Sequence, residues 1–250
     1  MSGQSNHFEG SRHGHETLAD PTTRLTVSQA YALWAETYDN AANPMLALEE
    51  RYLKPLLPSL ANKTVLDLGC GTGRLLNRLS SLATGWYLGV DVSSAMLARA
   101  AQKLCIPGHL LRADCTKLPL RSEIADVVIC SFLLGYVVAQ DLAAEIARVS
   151  RGATELYVSE FHPDSRSLGW KRSFRAGDQV IVLPTTQCSL PDLEHTFRQR
   201  GFDLVRTVEP GFDEPERKIF LANKKGHVFE TSRGTSAIFI CHFRRRTRVA

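Results

Sequence analysis

Three glycines, Gly69, Gly71 and Gly73, stand on alternate positions directly behind the apolar run Val65-Leu66-Asp67-Leu68, and leucines at helical spacing (Leu75, Leu76, Leu79, Leu82) follow them. A strand that runs into such a turn and then a helix exposes main-chain atoms at a bend, where a ligand can approach closer than any Cβ allows. The chemistry this suits is binding of a nucleoside-containing molecule. Asp91 ends the apolar run Trp86-Tyr87-Leu88-Gly89-Val90, roughly 20 residues past the glycines, where a carboxylate can accept hydrogen bonds from both ribose hydroxyls. The alternative for Asp91 is a cap on the helix that begins near Ser93 or Ser94. Asp114 closes a third run, His109 to Ala113, and is placed to meet an adenine amino group.

The glycine spacing separates two kinds of ligand. A dinucleotide site spaces its glycines G-x-G-x-x-G to seat a pyrophosphate, whereas this chain reads G-x-G-x-G, with Arg74 where the third dehydrogenase glycine belongs. The spacing favours S-adenosylmethionine, which has no phosphate to seat at a helix N-terminus and asks for close backbone packing. Asp126-Val127-Val128-Ile129-Cys130-Ser131 is apolar almost throughout, as a strand covered on both faces should be.

Taken together, the turn, Asp91, Asp114 and the segment Ala125 to Leu134 resemble a class I S-adenosylmethionine-dependent methyltransferase, in ordered motifs from Thr64 to Glu160. The Tyr38-Asp39 pair upstream resembles the small-molecule branch that includes ubiquinone and menaquinone methyltransferases. The resemblance implies an α/β, Rossmann-like fold: a seven-stranded, mostly parallel sheet with an antiparallel last strand, helices on both faces, and the cofactor across the C-terminal edge of the first strands. It also implies cofactor contacts from Tyr38, Gly69, Cys70, Gly71, Gly73, Asp91, Val92, Asp114, Cys115 and Ser131.

The remaining elements agree with that layout. Leu142, Ile146 and Val149 share one face of a helix over Asp141 to Ser150, and Thr154 to Ser159 supplies a fifth strand. Ser189-Leu190-Pro191-Asp192 resembles a helix start with capping-box spacing, and Gly201 stops that helix. Asp203 to Val208 and Thr235 to Phe243 give the last two strands. The domain reading is a mobile leader over 1–20, an N-terminal helical lid region over 21–60, and a methyltransferase domain over 61–250 with insertions at about 161–188 and 211–232.

With 250 residues, 44% of them hydrophobic, the chain can bury a substantial core without disulfide or metal. No run approaches the roughly 18 apolar residues of a membrane span, and Met1 to Asp20 has no apolar stretch, so a cytoplasmic protein is expected. His7, His13 and His15 read as tail residues. The six cysteines include no C-x-x-C pair, so buried reduced thiols are expected. The net charge of +4 is modest. Arg244, Arg245, Arg246 and Arg248 make a basic end that could touch RNA phosphates, although a solvated terminus is the expectation, and no Asp/Asn-Pro-Pro-aromatic motif follows the fourth strand.

The methyl acceptor must be held by additions at the sheet edge. Tyr31, Trp34, Tyr38 and Met45 in the N-terminal region form an aromatic and sulfur-bearing set, of which Tyr38 is expected over the cofactor and Trp34 against substrate. The long segment Phe161 to Cys188 leaves the fifth strand through His162 and carries Trp170 and Arg175 as substrate contacts, with a hairpin near Ala176-Gly177-Asp178. Gly211 to Ser232 offers Phe212, Phe220 and Phe229 as pocket residues. Methyl transfer is an in-line displacement in which the acceptor is aligned and, for a hydroxyl or carbon acid, deprotonated.

His162 is the expected base, since imidazole titrates near neutrality; its alternative role is to hold its loop. Tyr136, where many relatives carry a histidine, is the second candidate, a phenol better suited to hydrogen bonding than to proton removal. If neither acts chemically, alignment alone suffices for a carboxylate or a neutral amine. Ser131-Phe132-Leu133 offers no ligand set for a metal, so a metal-independent monomer or homodimer acting on a small, aromatic or anionic molecule is expected. Nucleic acid is disfavoured as the acceptor. A catalytically silent cofactor-binding scaffold, an NAD-dependent oxidoreductase and an RNA methyltransferase are the competing readings.

Overall fold

The computed structural model describes residues 25–40, 42–80, 85–104, 109–166, 170–176 and 178–247. The leader over 1–20, with its three histidines, lies outside the described residues, as do Leu82, Cys105, Gly177 and Arg248. Nine strands are described: β1 (Thr64–Leu68), β2 (Trp86–Asp91), β3 (His109–Arg112), β4 (Ala125–Ser131), β5 (Ser150–Phe161), β6 (Ser173–Ala176), β7 (Gln179–Val182), β8 (Phe202–Val208) and β9 (Ile238–Arg245). Eight α-helices accompany them: α1 (Val27–Trp34), α2 (Pro44–Leu53), α3 (Arg74–Ser80), α4 (Ser94–Lys103), α5 (Ala139–Val149), α6 (Leu190–Gln199), α7 (Glu214–Ala222) and α8 (Gly226–Ser232).

Seven strands form one sheet in the order β3-β2-β1-β4-β5-β9-β8. The pairs from β3 to β5 are parallel, and β9 runs antiparallel to both β5 and β8. This is the expected doubly covered sheet with an antiparallel last strand. Strand alternation divides its side chains between two cores. Leu66, Leu68, Val128, Cys130, Leu156 and Val158 face α5 and α6, where Leu142, Ile146, Leu193 and Phe197 are fully buried. Val65, Val127, Ile129 and Tyr157 face the other way, onto Leu48 of α2, Leu76 of α3 and the phenylalanines of α7 and α8. Burial on both faces explains why β1 and β4 read as continuous apolar runs.

The start and stop signals of α6 act locally as the sequence predicts. Ser189 Oγ accepts from the Asp192 backbone N–H at 3.2 Å, and Gly201 takes φ +85° beyond the last turn of α6. Asn43 Oδ1 accepts from Met45 N at 2.9 Å, and Pro44 occupies the first turn of α2. The hairpin forms from β6 and β7.

Two expectations are corrected. β9 starts at Ile238, because Thr235 N is spent on the Ser232 carbonyl and Ala237 N on the Pro210 carbonyl. Phe212, Phe220 and Phe229 are core residues: Phe212, just before α7, packs on Phe220 of α7, and Phe220 on Phe229 of α8, with ring centroids 4.8 Å and 5.8 Å apart. In the basic end Arg244 and Arg246 are exposed, as expected of a solvated terminus, while each also bonds the domain: Arg244 Nε donates to Glu155 at 2.8 Å, Arg245 Nη1 to the Ser150 carbonyl at 2.7 Å, and Arg246 Nη2 to the Arg198 carbonyl at 2.7 Å.

Candidate active site

In the sheet order, β1 leads outward to β2 and β3 on one side while β4 and β5 lie on the other, so the connections diverge beyond the C-terminal end of β1. A crevice forms at such a switch point. Here it is a cavity of about 520 Å³, within the roughly 300–1,000 Å³ of small-molecule sites.

One wall is the glycine turn. Gly69 N and Cys70 N both donate to the Val90 carbonyl, at 2.8 and 3.0 Å, which folds the turn back against β2. Gly69 takes φ +72° and Gly71 φ +54°, and a Cβ on Gly69 would stand 3.0 Å from Leu133 Cδ1. Gly71 N donates to Asp91 Oδ2 at 2.9 Å, and Ser93 N donates to Asp91 Oδ1 at 2.8 Å. Ser93 is the residue that caps α4, so Asp91 is left to brace the turn and line the cavity. Burial raises its carboxyl above the usual range, opposed by the bonds from Ser93 and Gly71. Asp114 accepts from Thr116 N and Oγ1 at 2.8 and 2.7 Å, which hold its carboxyl below the ordinary value.

The opposite wall comes from α1 and the residues after β4. Tyr31 Oη donates to Tyr136 Oη at 3.0 Å. Trp34 stacks on Phe174 of β6, with centroids 4.7 Å apart and planes 5° from parallel, and meets Tyr38 edge-on at 4.8 Å. Tyr31, Trp34, Tyr136 and Phe174, with Ala30 and Leu183, form a small core separate from the two main ones. Burial pushes the Tyr38 phenol up to about 12 and raises Tyr31 well above its ordinary value, so both remain neutral donors. Behind Tyr136, the Arg172 guanidinium lies 4.9 Å from its ring centroid and 4.4 Å from that of Phe161, and pairs with Glu160.

Tyr38, Gly69, Cys70, Gly71, Asp91, Val92, Asp114, Cys115, Ser131 and Tyr136 line this cavity. Five expected residues do not. Gly73 turns at φ +74° so that α3 can press on α4, where a Cβ would stand 3.0 Å from Ala100 Cβ. Trp34 supports the wall through Tyr31 and Tyr38. His162 is displaced toward β9: its backbone N donates to the Ala237 carbonyl, Nδ1 accepts from Asp164 N at 3.1 Å, and Nε2 lies 2.8 Å from Glu209. Trp170 packs on Phe212 at 5.4 Å in the lower core, and Arg175 is exposed on the hairpin.

Sequence reasoning gave no site role to three charged residues. Asp67, 1% exposed, carries an Oδ1 atom without a hydrogen-bond partner. Burial pushes its carboxyl up to about 7, against the pull of Arg74 and with Glu49 and Asp91 adding to the rise. A carboxylate inside a buried strand is rare enough to have been a signal. Arg74 lines the cavity and pairs with Glu49 of α2. Glu49, fully buried, also accepts from Ser131 Oγ at 2.6 Å and from Ser159 Oγ.

Comparison with known proteins agrees with this geometry. A family model described as a methyltransferase domain matches residues 65–153. The chain is 34% identical over 210 residues to a malonyl-[acyl-carrier protein] O-methyltransferase of Marinomonas, covering 82% of this chain and 77% of that one. It is 34% identical over 162 residues to a ubiquinone/menaquinone biosynthesis C-methyltransferase of Syntrophotalea carbinolica, covering 59% and 68%. It spans only 38% of a bifunctional biotin biosynthesis protein of Cellvibrio japonicus, to which it is 25% identical over 196 residues, or 78% of this chain. Among solved structures, a methyltransferase bound to the Haloferax volcanii Trm112 activator superposes with a TM-score of 0.70 at 19% identity, over 90% of this chain and 100% of that one, a likeness of fold.

Proposed function

Because the chain belongs to the class I S-adenosylmethionine-dependent methyltransferases, we propose that it methylates an anionic oxygen, such as a carboxylate, on a small molecule, without a metal. The observation that carries this reading is the composition of the cavity wall. It joins the glycine turn and Asp91 to a pair of hydrogen-bonded phenols, Tyr31 and Tyr136, and among the described residues contains no imidazole.

The cofactor's requirements fit the residues present. The unpartnered Asp67 Oδ1 at the foot of the turn suits the ammonium of an amino-acid head, Asp91 suits ribose hydroxyls, and the bare backbone at Gly71 has no atom within 4 Å of a would-be Cβ. When bound, S-adenosylmethionine supplies a methyl carbon activated by a sulfonium. The chain's own residues then have two tasks. Tyr136, whose hydroxyl accepts from Tyr31, donates the hydrogen bond that orients an oxygen anion, and α1 with Tyr38 excludes water from the displacement.

An anionic oxygen already has its lone pair free, so no proton need be removed and no base is required. The Marinomonas relative, a malonyl-[acyl-carrier protein] O-methyltransferase, supports an acceptor of this kind. Among the described residues no three His, Cys, Asp or Glu side chains gather as a metal centre would need.

The test is transfer from S-adenosylmethionine labelled in the methyl group to panels of carboxylates, phenols and amines, in the presence of EDTA. The reading predicts label in carboxylates that alkali releases as methanol. Alkali-stable label confined to amines or ring carbons, or turnover only after magnesium is restored, would contradict it.

A further inference from the structure

Among the described residues only two buried side-chain polar atoms lack a hydrogen-bond partner, Asp67 Oδ1 and Arg74 Nη1. Both residues line the same cavity. They carry opposite charges and influence one another, yet no ion pair joins them: Arg74 lowers the Asp67 carboxyl, while its own hydrogen bond goes to Glu49. A buried guanidinium nitrogen with no acceptor is costly, so its persistence needs an explanation.

Glu49 supplies half of one. Its carboxylate is fully buried and held from two further sides by Ser131 and Ser159. It takes Nη2 of Arg74 and thereby fixes the plane of the guanidinium. Nη1 is left 3.8 Å from Glu50, beyond hydrogen-bond reach. A guanidinium fork anchored on one prong and open on the other is suited to a second carboxylate.

We propose that Arg74 binds the carboxylate of the cofactor's amino-acid head, opposite Asp67 at its ammonium, and that Glu49 is a positioning residue that presents the Arg74 fork. The inference rests on the cofactor reading given above. It assigns a cofactor contact to the position where the dinucleotide pattern expects glycine, and it ties α2 to the cofactor through Glu49.

The test uses two ligands in calorimetric titration: S-adenosylhomocysteine, and 5′-methylthioadenosine, which keeps the adenosine and sulfur but lacks the amino-acid head. For Arg74→Met the expected result is roughly a tenfold or larger loss of S-adenosylhomocysteine affinity, the scale of a charge-assisted bond, with 5′-methylthioadenosine within about twofold. Glu49→Gln should show the same ligand selectivity to a smaller degree. Since Arg74→Met leaves Glu49 buried and unpaired, Glu49→Gln/Arg74→Met removes both charges and serves as the folded comparison; its loss should equal that of Arg74→Met, because coupled residues are not additive. Equal losses for the two ligands, or no loss for either, would overturn the clamp. Failure of the unaltered protein to bind either ligand would instead remove the cofactor reading beneath it.

Discussion

Tyr31 of α1 and Tyr136, 105 residues further along the chain, share a hydrogen bond of 3.0 Å, with their rings edge-on at 86° and centroids 5.5 Å apart. The contact joins the N-terminal helix to the C-terminal edge of the sheet and closes the cavity between them. If Tyr136, held by Tyr31, donates to the acceptor, Tyr136→Phe should raise the acceptor KM by about tenfold, the value of one hydrogen bond to a charged group, Tyr31→Phe should raise it less, and both should leave S-adenosylhomocysteine affinity unchanged. Steady-state kinetics beside calorimetry checks this. A matching loss of cofactor affinity would move the pair to the cofactor side.

His162 serves structure under this account. Its ring is engaged by Glu209 and by Asp164 N, away from the cavity lining. His162→Ala should therefore retain kcat within about threefold, far from the roughly 10²–10⁴-fold loss expected of a general base. A loss of that larger size in a folded variant would restore it as the base.

Asp67 makes the effect of the cofactor depend on pH. Burial raises its carboxyl from the ordinary 3.8 to about 7, so the folded protein without ligand binds a proton that the unfolded chain has released. This group's contribution to stability is present below about pH 4 and is lost as pH rises through about 7. An ammonium beside it favours the ionised form. The rise in Tm produced by saturating S-adenosylhomocysteine should accordingly grow between pH 5.5 and 8, and Asp67→Asn should flatten that growth. An unchanged slope in the variant would locate the titration elsewhere.

Arg172 and Glu160 form an ion pair at 7% and 8% side-chain exposure, supported by Arg172 Nη1 donating to the Phe132 carbonyl at 2.8 Å and Gly135 N to Glu160 at 3.0 Å. Arg172→Ala strands a buried carboxylate and should cost about 3–5 kcal/mol in urea denaturation. Glu160→Gln/Arg172→Met should recover most of that loss. A cost below about 1 kcal/mol for the single variant, as for an exposed pair, would show the pair to be solvated.

The parts of the fold that were legible in the sequence are those set by local patterning. Buried β1 and β4 announced themselves as apolar runs, the glycine turn by its spacing, and α6 by Ser189 and Gly201. Glu49 was not legible, since it meets Ser131 and Ser159 across 82 and 110 residues and its own helix reads as an ordinary amphipathic one. For His162, position at a strand end gave the direction of the chain but not the side to which β9 would draw it. Phe212, Phe220 and Phe229 sit in a polar stretch whose helical face could be recognised only once the sheet supplied a surface to cover.

The most direct test of the central claim is calorimetric titration of S-adenosylhomocysteine into the protein and into Asp91→Ala, with NADH as the competing ligand. Asp91 links Gly71 and Ser93 at the ribose end of the cavity, so the account predicts saturable binding to the unaltered protein, at least about tenfold weaker in the variant, and none of NADH. Binding of NADH in place of S-adenosylhomocysteine, or of neither, would contradict it.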